Sequence, residues 1–115
     1  MNVRIKRIYD PFAASDGLRV LVDRLWPRGM KKEDARIDLW AKELAPSSEL
    51  RKWFGHDEAR FTGFRSRYLC ELEDKQEAIQ ELLEKAGGQT VTLLFAARNR
   101  SYNHAVVLRD FLAGI

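Results

Sequence analysis

Two short apolar runs, "LRVLVDRLW" at 18–26 and "TVTLLFAA" at 90–97, are separated by most of the chain. Each is rich in β-branched and aliphatic residues and is flanked by turn formers, the signature of a buried strand. Between them the pattern is helical. From Asp57 to Ala86, the residues Phe61, Phe64, Tyr68, Leu72, Ile79, Leu83 and Ala86 recur mostly at three- or four-residue steps. Strands joined by helical excursions pair in parallel. The expected fold is therefore α/β: a small, mostly parallel sheet of three to four strands flanked by helices. At 115 residues this is a single domain spanning 1–115.

The remaining elements follow from local chemistry. "VRIKRIY" (3–9) alternates apolar and basic residues, as a half-buried strand does. "DPFAASDG" is a loop. Pro27 ends the second strand, since its ring disfavours helix in the residue before it. "KKEDAR" (31–36) reads as a short helix, and "LWAKELAPS" (39–47) as either a third strand or an irregular segment. Ser47 or Ser48 caps a helix that stops at Gly55. The long helical stretch carries Glu71, Asp74 and Glu81 on its outer face, is interrupted by polar Lys75 or Gln76, and ends at Gly87-Gly88. "HAVVLRDFLAGI" closes the chain as a helix.

In a parallel sheet, ligands bind beyond the carboxyl ends of the strands. Here those ends are polar and mostly basic. Arg7, Tyr9 and Asp10 follow the first strand, and Asp23, Arg24, Trp26 and Arg28 follow the second. Arg98 and Asn99 follow the last, ahead of Asn103 and His104. Guanidinium is a planar fork suited to phosphate or carboxylate. Arg7, Arg24, Arg28 and Arg98 are thus candidate anion ligands, with Arg28 held in a tight loop by Pro27 and Gly29. Trp26 is either a core residue or a stacking wall, and Tyr9 is a second flat surface. Asp23 and Arg24 either form a structural ion pair or serve separate partners. Ser101 or Asn103 caps the last helix, whose free N–H groups favour an anion, with Asn99 just before it. His104 falls in that helix's first turn and is the candidate acid or base, with Asp23 orienting a group or pairing an arginine. His56, in "GHDE", reads as a helix cap.

Charge is unevenly placed. Residues 1–32 carry a net +5, residues 33–87 a net −4, and residues 88–115 a net +2. If the fold joins the two basic ends, they make one positive surface. No dinucleotide fingerprint, Walker loop or nucleophile elbow is present. Two histidines without metal-ligand spacing argue against a metal site, and no cofactor is expected. Cys70, the single cysteine, excludes an internal disulfide and reads as an inert helix residue. No apolar run is long enough to span a bilayer and no signal peptide is evident, so no membrane partner and a cytoplasmic location are expected.

"IKRIYDP", "DGLRVLVDRLWPRG", "ELAPSSELRKWF" and "NHAVVLRDFL" together resemble the YeaO-like branch of the domain-of-unknown-function 488 family. The resemblance runs from about Val3 to Leu112. It implies a compact bacterial cytoplasmic α/β domain and no particular activity. Longer branches carry Cys-x-Glu on the last strand and Cys-His-Arg opening the next helix. The matching positions here are Phe95, Ala97 and Asn103-His104-Ala105. The histidine remains, while the thiols and the carboxylate are gone, so thiol chemistry does not carry over.

The expected function is binding of a small anionic, phosphate- or nucleotide-like ligand in a basic pocket at the strand ends, with His104 as the acid or base if there is catalysis. The alternative is a non-catalytic nucleic-acid-binding or protein-interaction domain. Nucleic acid finds no supporting motif, because no helix carries a basic stripe and no strand carries paired aromatics. The sequence assigns no oligomeric state.

Overall fold

The computed structural model describes residues 2–115. Its centre is a four-stranded, wholly parallel sheet formed by β1 (Val3–Arg7), β2 (Leu18–Leu21), β3 (Leu39–Trp40) and β4 (Val91–Phe95). The strand order is β1-β4-β2-β3, which makes the last strand in sequence an inner one. Ile5, Leu93, Val20 and Leu39 lie side by side across the sheet.

Alternation along the strands divides the sheet into two unequal faces. Val20, Val91, Leu93 and Phe95 join the main core with Phe64, Tyr68, Leu72, Leu82 and Leu108 from the helices. These helices are α2 (Ser48–Phe54), α3 (Phe61–Glu73), α4 (Gln76–Ala86) and α5 (His104–Ala113). The opposite face is thin. Leu21, Leu94 and Ile8 pack there with Ala35 of the one-turn α1 (Lys32–Ala35) and with Trp26, Met30 and Trp40.

The thin face also buries a charged cluster. Arg19 on β2 is 2% exposed. Its guanidinium donates to the Asp16 carboxylate and to the carbonyls of Ala35 (2.9 Å) and Arg36 (3.0 Å). Lys6 reaches Asp16 at 3.1 Å, and the Thr92 hydroxyl donates to the Asp16 carbonyl at 2.7 Å. A buried charge is tolerated only when paired and hydrogen-bonded, and Arg19 is both. Gly17 makes the approach feasible. Its φ is +67°, and a Cβ there would stand 2.2 Å from the Thr90 oxygen.

Three sequence expectations are corrected. The second strand ends at Leu21 rather than continuing to Trp26; the Val22 amide still donates to Leu94, after which the chain turns into a loop. The helical stretch 57–86 is not one helix. A 3-10 turn at Glu58–Arg60 precedes α3, and the chain breaks at Asp74-Lys75 before α4. The break resets the helical phase, so α4 buries Ile79, Leu82 and Ala86, with Leu82 rather than Leu83 at its centre. Glu71 does not face open solvent. Its carboxylate accepts the Ser47 amide (2.8 Å) and hydroxyl (2.6 Å), while that hydroxyl in turn caps α2 by accepting from Leu50 (3.1 Å).

Candidate functional site

β2 and β4 are neighbours, so the loops leaving their carboxyl ends, 22–28 and 96–103, lie side by side. The start of α5 and the end of α2 approach the same place. Together these four segments enclose a cavity of about 590 Å³, lined by Asp23, Arg24, Leu25, Ala45, Pro46, Arg51, Phe54, His56, Phe64, Ala96, Ala97, Arg98, Asn99, Asn103 and His104. Its position beyond the strand ends is the one that parallel sheets favour for ligands.

The apolar floor comes from the core. Phe54 and Phe64 stack with ring centroids 4.4 Å apart. Tyr68 continues the aromatic series below Phe64, at 5.6 Å, and donates its hydroxyl to the Leu44 carbonyl. Burial pushes that hydroxyl far above its usual pKa, aided by the charges of Glu71 and Asp23, so it stays a donor. Leu25 is 59% exposed at the cavity edge.

Asp23 is the cavity's only carboxylate, and it is committed. Its Oδ2 accepts the Ala96 amide at 3.0 Å, while Oδ1 stands 2.8 Å from His104 Nε2. Neither Oδ1 nor Nε2 has a hydrogen-bond partner, so this approach is an ion-pair distance without hydrogen-bond alignment. Asp23 therefore pairs with His104, not with Arg24. Arg24 instead donates Nε to the Pro46 carbonyl at 3.3 Å. Arg51 and Arg98 are exposed at the rim.

Asn103 caps α5, its Oδ1 accepting the Val106 amide at 3.0 Å, and it is almost wholly buried. Its Nδ2 donates to the Asn99 carbonyl (2.8 Å). Asn99 in turn accepts the amides of Ser101 and Tyr102 and donates to Glu58, all at 2.9 Å. Both asparagines line the cavity with their hydrogen-bonding groups already engaged.

The remaining sequence candidates lie outside the lining. Arg7 donates to the carbonyls of Ala97 (2.9 Å) and Ala96 (3.2 Å), so it braces the cavity wall from behind. Tyr9 stacks under Arg7 and donates to the Arg28 carbonyl at 2.8 Å. The Arg28 side chain is exposed and away from the cavity. Trp26 donates to the Met30 carbonyl (2.7 Å) and meets Trp40 edge-on at 5.3 Å, on the thin face of the sheet. The two basic chain ends do meet, though partly by neutralising each other's acids: Arg100 grips Asp10 through two bonds of 2.8 Å.

The sequence reading missed Arg51, Phe54 and His56. Their segment is nearly forty residues before β4, and only the packing of α2 against α3 brings it to the site. His56 is not a cap. Asp57 accepts the Ala59 amide at 3.0 Å and caps the 3-10 turn, while His56 takes a left-handed φ of +57° at the cavity wall. The αL stop at Gly55 was the available signal, because two successive αL residues redirect the chain sharply. Among the described residues no cluster of three or more His, Cys, Asp or Glu is placed to hold a metal, and no helix is long and apolar enough to cross a membrane.

Comparison with known proteins agrees with the sequence resemblance. A family described as the inactive DUF488-N3 subclade matches residues 2–114. The uncharacterized protein YeaO of Escherichia coli (strain K12) is 48% identical over 115 residues, the full length of both chains. The uncharacterized protein Mb3100c of Mycobacterium bovis (strain ATCC BAA-935 / AF2122/97) is 46% identical over 113 residues, covering 98% of this chain and 95% of the relative. No solved structure matches.

Proposed function

The chain belongs to the DUF488 family, in the branch described as its inactive N3 subclade, and from that premise we propose that it binds a small organic anion in the cavity beyond β2 and β4 without transforming it. One observation carries the reading. Arg24, Arg51 and Arg98 surround a cavity whose only carboxylate, Asp23, is taken up internally. The unspent charge around it is cationic, and guanidinium groups bind carboxylate or phosphate with both strength and geometry.

Binding without turnover follows from the lining. It holds no serine, cysteine, threonine or lysine to act as a nucleophile. The one acid–base couple, Asp23 with His104, is turned on itself.

Amide chemical shifts test the reading. Phenyl phosphate and benzoate are expected to move the signals of residues 22–25 and 96–104, while uncharged benzyl alcohol leaves them in place. Arg98→Ala should weaken binding by about 1.5–3 kcal/mol, the worth of a hydrogen bond to a charged group. If these anions move no signals, or move only signals elsewhere, the reading is wrong.

A further inference from the structure

The binding reading leaves open which anion, and the cavity's hydrogen-bond inventory narrows it. A sugar presents several hydroxyls, each of which needs an acceptor to donate to. Most of the acceptors that line this cavity already hold one donor each. Arg7 occupies the carbonyls of Ala96 and Ala97 from behind the wall. Arg24 occupies the carbonyl of Pro46, and Asn103 that of Asn99. The side-chain oxygens of Asn99 and Asn103 are bound to backbone amides. Asp23 gives Oδ2 to the Ala96 amide, while Oδ1, 2.8 Å from His104 Nε2 without hydrogen-bond alignment, is the one side-chain oxygen left open.

What remains unspent falls into two kinds. The exposed guanidiniums of Arg51 and Arg98 are donors only, suited to a negative head group. Apart from the His56 ring and the Asp23–His104 couple, the rest of the wall is apolar: Pro46, Phe54, Phe64 and the exposed Leu25. A site with free cations, few open acceptors and an apolar floor matches a charged group on an apolar body.

Resting on the binding reading above, we infer that the ligand is an aryl or acyl anion, a carboxylate or phosphate carried on an apolar body, and not a sugar phosphate or nucleotide. The apolar body lies on the Phe54, Phe64 and Leu25 side and the charge faces Arg51 and Arg98. Burying that body against a preformed apolar wall adds affinity that inorganic phosphate lacks. A sugar in the same place would lose water from several hydroxyls and find few open acceptors in exchange.

Isothermal titration of the full chain with phenyl phosphate, ribose 5-phosphate and inorganic phosphate decides the class. Phenyl phosphate is expected to bind at least tenfold more tightly than either of the others. Leu25→Ser, at an exposed position where folding is insensitive, is expected to narrow that ratio. Ribose 5-phosphate binding as tightly as phenyl phosphate, or a ratio unmoved in Leu25→Ser, overturns the class while leaving anion binding intact. Silence from all three probes removes the class and the binding reading together.

Discussion

Oδ1 of Asp23 stands 2.8 Å from Nε2 of His104, joining the loop after β2 to the first residue of α5. The same carboxylate holds the Ala96 amide, so one side chain ties three segments around the cavity. The neighbouring Trp40 indole fixes the Asp23 backbone by donating to its carbonyl at 2.8 Å.

Asp23→Ala should therefore destabilise the protein by about 1–3 kcal/mol, the cost of leaving a buried donor unsatisfied. The Ala96 amide loses its acceptor, and the His104 ring loses its neighbour. Asp23→Asn keeps an oxygen for Ala96 and should recover much of the loss. Urea denaturation of both variants measures the difference.

The stacked aromatics give a second expectation. Phe64 is 2% exposed between Phe54 and Tyr68. Phe64→Ala should cost about 3–5 kcal/mol as a core truncation. It also removes part of the cavity floor, so any ligand bound there should weaken along with stability. A loss below about 1 kcal/mol in chemical denaturation would show that the α3 face is packed otherwise.

Acid should unfold the protein through two carboxylates. Burial pushes the Asp16 carboxyl up, but bonds from Lys6, the Ala13 amide and Arg19 outweigh it, leaving its pKa below the ordinary 3.8. The bond from Arg100 lowers Asp10 likewise. A folded value below the unfolded one adds stability that is full above 3.8 and is lost as pH falls through the folded value. Stability should thus hold from neutral pH down to the unfolded value and fall beneath it. Asp16→Asn should be less stable at neutral pH and show a shallower acid limb, read from urea midpoints at neutral pH and at about pH 2.5.

Gly17→Ala is expected to be far worse than an ordinary surface change. The backbone is left-handed there, and the added methyl would meet the Thr90 carbonyl that accepts the Leu18 amide at 2.8 Å. Gly88→Ala shares a positive φ of +86° but meets no atom within 4 Å, so it isolates the conformational cost of about 1 kcal/mol. Thermal melts of the pair separate strain from collision, and equal losses would show that the collision is relieved.

Much of the sheet was legible because strands announce themselves locally. "TVTLLF" and "LRVL" pair in parallel as their helical separation implies, with Leu21 beside Leu94. The α3–α4 break was half legible: Lys75 interrupts the stripe, but only the structure shows the phase reset that buries Leu82. Arg19 was not legible, since its burial depends on Asp16 and on the carbonyls of Ala35 and Arg36, which long loops deliver. At the cavity, Asp23, Arg24, Arg98 and Asn99 are brought together because they lie in the loops leaving the inner strands, and Asn103 and His104 because they open the helix that the second of these loops leads into. Arg7 ends β1, and Tyr9, Trp26 and Arg28 follow strands too, yet side-chain direction and loop course carry them elsewhere. Arg51, Phe54 and His56 arrive through helix packing, which no local pattern encodes.

The position of β4 has a consequence for how the protein is made. β1 and β2 never touch as neighbours; each is paired to Val91–Phe95, which is synthesised after both. On the ribosome, β1 must therefore wait for Val91–Phe95, far along the chain, before its partner emerges. Until then "VRIKR", studded with positive charge, has no strand partner, and "LRVL" has only the two-residue β3 beside it. Pairings so distant in sequence slow folding and leave edges open to wrong association. The arginines and lysine on these segments carry like charge, which disfavours pairing with the same segment of another chain while β4 is missing.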